Sequence, residues 1–360
     1  MSLMDEVTSR ALSLGIPFSL HLDVTYRCNE RCVHCYLDHD DHGEMTTDEI
    51  KRVLHQAASA GTLILTLSGG EPFLRKDFFE ILAYARALMF SVKIKTNGLL
   101  IAAEQAHRLR ELHVSEIQVS IYSHRPEVHD GITKVRGSLK RSLTAIRFLR
   151  DQGLTTVIAC PLMRANISDY PEVQALAAEL GVAFTMDPTI TPKIDGDHSI
   201  VQHRLLQSQI AEVFQDATLV GDVHEFCKPA GPTTDDLLDS VPCSAGHTSV
   251  YVSPYGEVYP CVQFPVNCGN VRELALGEIW YRSERMNQVR SIRVKDLHTC
   301  SGCDHLSGCT RCPGLAYMEG DMRGPSSADC EKSQIKAGLA QVSPEMPMSQ
   351  PKLVQIQALQ

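Results

Sequence analysis

Six short apolar runs, at residues 18–24, 62–67, 90–95, 116–121, 155–160 and 182–186, alternate with longer amphipathic stretches at 47–60, 77–88, 102–112, 138–152 and 169–180. That alternation is the sequence form of repeated βα units, in which each helix carries the chain back to start a parallel neighbouring strand. Thr46-Thr47-Asp48-Glu49 opens the first helical stretch as a capping box would, and Gly61, Gly153 and Gly181 follow three stretches where a left-handed residue ends a helix. Six repeats predict an α/β fold, an open, partial (β/α)6 TIM-like barrel rather than a closed eight-fold one. A doubly wound parallel sheet would give the same one-dimensional pattern. In both, functional groups collect at the C-terminal ends of the strands.

The second constraint is cysteine: 13 in 360 residues. No basic, apolar export signal opens the chain and no run of eighteen apolar residues occurs, so a cytoplasmic protein that neither enters nor crosses a membrane is expected. Thiols clustered in a reducing compartment point to metal or redox chemistry, and an odd number cannot pair completely. Lys+Arg 34 against Asp+Glu 43 leaves a net charge of −9, which argues against nucleic acid as a partner. Residues 1–17 read as an N-terminal extension, 18–215 as the barrel and 216–242 as a loop-like linker. Residues 243–330 form a second region holding 8 of the 13 cysteines, and 331–360 a tail with a short helix at 335–342 before a frayed end.

Directly after the first apolar run comes Cys28-Asn29-Glu30-Arg31-Cys32-Val33-His34-Cys35-Tyr36. Three thiols in one loop suit a cubane iron–sulfur cluster with one iron left open, whereas structural zinc needs four ligands. His34 could be a fourth, although one short loop hardly directs all four groups inward. Ser68-Gly69-Gly70-Glu71-Pro72 follows the second strand, Thr96-Asn97-Gly98 ends the third and Ser120-Ile121-Tyr122-Ser123 the fourth.

These motifs, in this order, resemble the radical S-adenosylmethionine (SAM) enzymes, whose signature is C-x3-C-x-φ-C with a usually aromatic φ, here His34. The resemblance implies a SAM-binding [4Fe-4S] cluster on Cys28, Cys32 and Cys35, the catalytic centre. Its open iron chelates the amino and carboxylate groups of SAM, and reductive cleavage yields a 5′-deoxyadenosyl radical that abstracts hydrogen. It also implies cofactor contacts from Tyr36, from Gly69, Gly70, Glu71 and Pro72 around the methionine amino group, from Thr96, Asn97, Ser120 and Ser123 at the strand ends, and from Arg136 toward the carboxylate. Two of these expectations have a physical form: the glycines let backbone approach the ligand, and Glu71 supplies charge for its ammonium. Strand-end polar groups are also commonly loop caps, and that reading of Ser120 and Arg136 stays open.

In the second region Cys243-x12-Gly256-x4-Cys261 is followed by Cys300-x2-Cys303-x5-Cys309-x2-Cys312 and Cys330. The C-x2-C pairs alone read as a zinc ribbon. The whole pattern resembles the SPASM extension of radical SAM enzymes, departing from it in the last spacer, x2 rather than x3. It implies two auxiliary [4Fe-4S] clusters: Cys300, Cys303, Cys309 and Cys330 on the distal one, and Cys243, Cys261 and Cys312 on the nearer. Cys227 is the first candidate for the missing fourth thiolate, ahead of Cys268 or an iron left open to substrate; Cys160 reads as core. The acidic run 38–41 reads as a solvated lid. Asp187 and Lys193, after the sixth strand, either see substrate or belong to a plain connection.

SPASM proteins mostly modify peptides or proteins, so the expected substrate is a ribosomally made peptide or a protein undergoing cross-linking or oxidation, as in pyrroloquinoline quinone and mycofactocin maturation. A separate peptide-chaperone protein would present a leader peptide, since seventeen residues before the first strand are too few for a fused recognition domain, and a flavodoxin or ferredoxin-type protein would donate electrons. Alternatives in the same superfamily are a tetrapyrrole side-chain decarboxylase and a small-molecule dehydrogenase. Sulfatase maturation is disfavoured, because Val262 stands where that family places a catalytic aspartate. A non-catalytic zinc-stapled binding module is the reading from a different class.

Overall fold

The computed structural model describes residues 3–39, 41–227 and 231–342; Asp40 of the acidic run and the tail end expected to fray lie outside them. A helix, α1 (Leu3–Leu14), precedes six βα-linked strands: β1 (Ser19–Thr25), β2 (Ile64–Gly69), β3 (Ser91–Thr96), β4 (Glu116–Ser120), β5 (Thr156–Pro161) and β6 (Ala183–Asp187). Neighbouring strands pair in parallel from β1 through to β6. The helices between them are α2 (Thr47–Ser59), α3 (Phe78–Ala87), α4 (Ala103–Glu111), α5 (Pro126–Thr133), α6 (Ser138–Asp151) and α7 (Tyr170–Leu180), followed by α8 (Gln207–Gln215). The fold is the α/β partial barrel expected, with the cysteine-rich region at its C-terminal side.

Local chemistry sets these bounds. The α2 capping box closes as the sequence implies: the Thr46 hydroxyl accepts from the Glu49 amide at 3.3 Å, and the Glu49 carboxylate accepts from the Thr46 amide at 2.7 Å. Strand faces separate by period two. On β3, Val92 and Ile94 are fully buried in the core shared with the helices, while Lys93 and Lys95 alternate onto the opposite, lumen face and are only half-buried. The same alternation places His21 and Asp23 of β1, Gln118 of β4 and Asp187 of β6 toward the lumen.

The sheet does not stop at the barrel. Among the described residues it has nine strands in the order β6-β5-β4-β3-β2-β1-β7-β8-β9, where β7 (Ser249–Val252), β8 (Glu257–Tyr259) and β9 (Gly269–Asn270) come from the cysteine-rich region. Strand β7 adds in parallel to the free edge of β1, pairing Leu20 with Val250 and Leu22 with Val252. The second region is therefore welded edge to edge onto the barrel. Arg272 pairs with Glu49 of α2 at 2.9 Å, and the Trp280 indole donates to the Gly15 carbonyl at 2.8 Å.

Residues 216–242, expected as loop, contain short helices at Ala217–Val220, Val223–Phe226 and Asp235–Asp239, each begun by an Asp or Thr side-chain cap. The tail helix is longer than expected, Ser327–Val342, and packs against α8.

Candidate active site

The cysteine loop leaves the C-terminal end of β1 and is held from three sides. Helix α5, which the sequence reading missed, supplies two carbonyls: the Arg31 amide donates to Thr133 and the Val33 amide to Ile132, each at 3.0 Å. From β2, the amide of Gly70 donates to the Thr25 carbonyl at 2.8 Å and that of Glu71 to the Arg27 carbonyl at 2.9 Å. A Cβ on Gly70 would stand 2.5 Å from the Tyr26 carbonyl oxygen, and Gly69 takes φ +125°, so both positions demand glycine. The close approach that the glycines permit is to the start of the cysteine loop. From β3, the Asn97 side-chain amide donates to Asn29 Oδ1 at 2.6 Å and toward Cys28 Sγ at 3.8 Å.

Glu71 takes a role different from the one expected. It is fully buried, and its carboxylate accepts from the Thr96 hydroxyl at 2.9 Å, the Asn97 amide at 2.8 Å and the Phe73 amide at 3.1 Å. The charge is directed into the protein, where it ties the end of β2 to the end of β3. Burial pushes its pKa up to about 7 despite those donors. Ser123 is likewise buried, donating to Asp169 and accepting from the Arg125 amide at 2.9 Å, which makes it a loop-building residue. Arg136 lies exposed in the turn between α5 and α6; the positive charges that act on the cysteine loop are Arg31 and Lys193 on Cys35 and Arg141 on Glu30. Ser120 ends β4 on the lumen side, half-buried and in contact with Tyr122. Pro72 is buried at the first position of a short 3-10 turn.

His34 is half-buried with its Nδ1 shut away from solvent, and that desolvation lowers its pKa to about 4. Its ring meets Tyr122 edge to face with centroids 5.0 Å apart, so it fills the aromatic place of the motif as a neutral ring. Cys28, Cys32 and Cys35 are half-buried free thiols. Burial pushes Cys28 up to about 12 and raises Cys32 and Cys35. Thiols so placed become thiolates only beside strong positive charge, which iron would supply. The loop offers three thiol ligands and no fourth thiol. Cubane ligands each hold a different iron, so the loop fits a cluster. Cys28, Cys32 and Cys35 are the residues that would hold such a cluster, which would supply the electron for reductive cleavage of SAM.

The remaining thiols fall into two groups. After burial, Cys243 and Cys312 are the thiols that raise Cys261, which reaches about 12. Cys309, Cys300 and Cys303 likewise add to burial in raising Cys330. This is the division of cysteines expected for the nearer and distal auxiliary clusters. Cys227 is a correction: its thiol is buried, donates to the Phe214 carbonyl at 3.7 Å and lies beside Lys336, sharing no interaction with Cys243, Cys261 or Cys312. The cause is local, since the Asp222-capped turn Val223–Phe226 ends at Cys227 and aims its thiol back at α8. Cys268 sits apart as well, beside Ser283, Arg285 and Arg290. Cys160 is core, as expected.

The lumen between these sites is polar. Asp23, fully buried, accepts from the Tyr251 hydroxyl at 2.8 Å and meets His21 Nε2 at 3.0 Å, and the Tyr251 hydroxyl meets that of Tyr26 at 2.6 Å. Tyr36 lies within electrostatic reach of Asp23, Cys35 and Cys261, which places it between the radical loop and the nearer auxiliary thiols. Lys95 feels Asp23, Asp187 and Cys261. Of these lumen groups Asp187, Tyr36 and Ser120 were expected from the sequence; the visible signal of the others was the polar residues at period two in β1 and β3. Lys193 pairs with Asp197 at 2.7 Å within its own loop.

A half-barrel whose first loop presents three thiols, locked to a glycine-glycine-glutamate turn and flanked by two further thiol groups, defines an enzyme that generates a radical from SAM. Residues 22–177 match the family model of the radical SAM superfamily, and residues 243–304 match that of SPASM, an iron–sulfur cluster-binding domain. Among curated relatives, the AdoMet-dependent heme synthase of Methanosarcina barkeri is 30% identical over 322 residues, covering 82% of this chain and 90% of that protein. The mycofactocin maturase MftC of Mycobacterium tuberculosis is 26% identical over 343 residues, covering 91% and 86%. Streptococcus suis SuiB, solved with its precursor peptide SuiA, superposes with TM-score 0.70 at 18% identity over 91% of this chain and 79% of that one. The chain belongs to the radical SAM superfamily and carries a SPASM domain.

Proposed function

We propose that this enzyme matures a ribosomally made peptide or a protein segment, using the 5′-deoxyadenosyl radical to abstract hydrogen and delivering the second electron of the oxidation to an auxiliary cluster. The carrying observation is that Tyr36, next to the radical-loop thiol Cys35, and Lys95, on the lumen face of β3, both lie within electrostatic reach of the auxiliary thiol Cys261. A substrate in that lumen lies between an initiating site and an electron acceptor, the arrangement that cross-linking or oxidation needs. The residues implicated are Cys28, Cys32 and Cys35 for the SAM-binding [4Fe-4S] cluster, Gly69, Gly70, Thr96, Asn97 and Ser120 around SAM, and Cys243, Cys261, Cys312, Cys300, Cys303, Cys309 and Cys330 for two auxiliary clusters. A peptide-chaperone protein and a flavodoxin or ferredoxin-type donor complete the scheme.

Tetrapyrrole side-chain decarboxylation is the second reading, favoured by the identity to the heme synthase. The lumen charge supports the peptide. A tetrapyrrole brings several carboxylates, whereas here a lone unpaired lysine stands within reach of two acids. The test is anaerobic incubation of the reconstituted enzyme with SAM, reductant and a peptide encoded beside its gene, and separately with a propionate-bearing haem precursor. Loss of two hydrogens from the peptide supports maturation; an unchanged peptide with loss of carbon dioxide from the tetrapyrrole supports the second reading.

A further inference from the structure

Charged groups in the lumen find partners, with one exception. Lys93 pairs with Glu116 at 3.5 Å. Asp23 is satisfied by His21 and Tyr251, and Asp187 accepts from the Thr189 amide at 2.8 Å. Lys332, reaching in from the tail helix, bonds Asp329 at 2.8 Å and Thr189 at 3.2 Å. The Lys95 side chain makes no hydrogen bond and no ion pair among the described residues. It stands one position before Thr96, whose hydroxyl fixes Glu71, and two before Asn97, which touches Cys28. Its electrostatic neighbours come from three other elements: Asp23 on β1, Asp187 on β6 and Cys261 in the SPASM region.

A lysine ammonium on the lumen wall with no ion-pair partner keeps its three donors unused, and a ligand's anion can complete it. We propose that Lys95 is the anchor for a carboxylate of the substrate, holding it between the radical loop and Cys261. This rests on the reading above only in placing substrate in the lumen. One cation within reach of Asp23 and Asp187 suits one carboxylate at that point, since a second negative charge placed there, as a phosphate dianion would bring, is repelled by those two aspartates. The anchor would be supplied by a peptide C-terminus or an acidic side chain beside the reacting residue. The carboxylate of SAM shares this chemistry, and a third arm of the test separates it from a substrate's; the groups around Lys95 belong to the lumen wall.

The test uses SAM-loaded, cluster-reconstituted enzyme as wild type, Lys95→Met and Lys95→Arg, with iron content and visible spectrum confirming the fold of each. Equilibrium dialysis under anaerobic conditions compares two probe pairs: N-acetyl-dialanine with its C-terminal amide, and a porphyrin carrying four propionates with its tetraamide. The expected result is that the wild type binds the acid of at least one pair tenfold or more tighter than the amide, that Lys95→Met brings this ratio to about one, and that Lys95→Arg restores part of it. A ratio near one in the wild type for both pairs, whether both members bind or neither does, overturns the proposal. So does a ratio unaffected by Lys95→Met. A third arm compares SAM with decarboxylated SAM: if Lys95→Met abolishes the wild type's preference for the carboxylate-bearing form, Lys95 serves the cofactor and the proposal falls. A Lys95-dependent ratio for the porphyrin alone leaves the anchor standing and defeats the peptide reading. Peptide processing combined with a Lys95-independent ratio does the reverse.

Discussion

The hydroxyls of Tyr26 and Tyr251 meet at 2.6 Å across the line where the SPASM strand β7 joins barrel strand β1. Tyr251 also donates to Asp23, so one phenol ties the residue just before the cysteine loop to a fully buried carboxylate. Tyr251→Phe keeps the ring and removes the donor, leaving Asp23 with His21 alone. The expected cost is about 1–3 kcal/mol, the usual penalty for stranding a buried polar group. Tyr26→Phe should cost less, because Asp23 keeps both its donors. Anaerobic urea unfolding of the two variants checks the order, and equal losses would show that Asp23 is not what the pair supports.

Arg75 makes the second tie. Almost fully buried, it donates to the Val24 and Met45 carbonyls at 2.9 Å each and forks onto Asp77 at 3.0 and 2.6 Å, clamping the segment that leaves β1 to the segment that enters α2. Burial raises the Asp77 pKa, but Arg75 and Thr47 outweigh it and bring it down to about 2. A carboxyl depressed in the folded state stabilises fully above its unfolded pKa near about 4 and loses that contribution as pH falls through its folded value. Wild type should therefore lose stability between about pH 4 and 2 more steeply than Asp77→Asn. Arg75→Met, which leaves the Val24 and Met45 carbonyls without that donor and Asp77 with Thr47, should cost about 1–3 kcal/mol at neutral pH. Thermal melts across that pH range decide both.

The barrel was legible because βα alternation is periodic and local: the strands and helices at Ile64–Gly69 or Tyr170–Leu180 announce themselves by burial period and by a capping box or terminal glycine. Which thiols lie near one another, Cys261 with Cys243 and Cys312, and Cys330 with Cys300, Cys303 and Cys309, was legible because it follows the cysteine spacing. Edge addition of β7 to β1 was not, since strand pairing between Leu20 and Val250 depends on contacts far apart in sequence and leaves no periodic mark. The same limit explains Glu71 and Cys227. Both were assigned by motif and chain position, but a carboxylate's direction is set by Thr96 and Asn97 on another strand, and a thiol's by the turn that ends at it.

Placement of Cys227 gives a direct prediction about iron. Since it shares no interaction with the Cys243, Cys261 and Cys312 group, Cys227→Ala should retain the iron and sulfide of the reconstituted wild type. Cys261→Ala should lose the iron of one cluster, and Cys32→Ala should lose that of another together with all SAM cleavage. Iron and acid-labile sulfide analysis, with electron paramagnetic resonance of the reduced proteins, separates the three. Depleted iron in Cys227→Ala would restore it as a ligand reached only after a rearrangement of Val223–Phe226.

Gly70 connects the glycine turn to the cysteine loop through space rather than through the cofactor. Its amide and that of Glu71 bond the carbonyls of Thr25 and Arg27, and a methyl group at Gly70 would stand 2.5 Å from the Tyr26 oxygen, against backbone that cannot swing aside. Gly70→Ala must therefore separate the end of β2 from the start of the cysteine loop, stretching both hydrogen bonds and shifting Cys28 relative to Asn97. The expected result is SAM affinity at least about tenfold weaker, the loss of one such bond's worth of about 1.4 kcal/mol or more, with destabilisation of similar size. Glu71→Gln, which leaves the backbone in place and disturbs only the bonds to Thr96 and Asn97, should weaken SAM less. If the turn served mainly to present the Glu71 charge to SAM, the order would invert, and equilibrium dialysis of SAM against the two reconstituted variants reads that order directly.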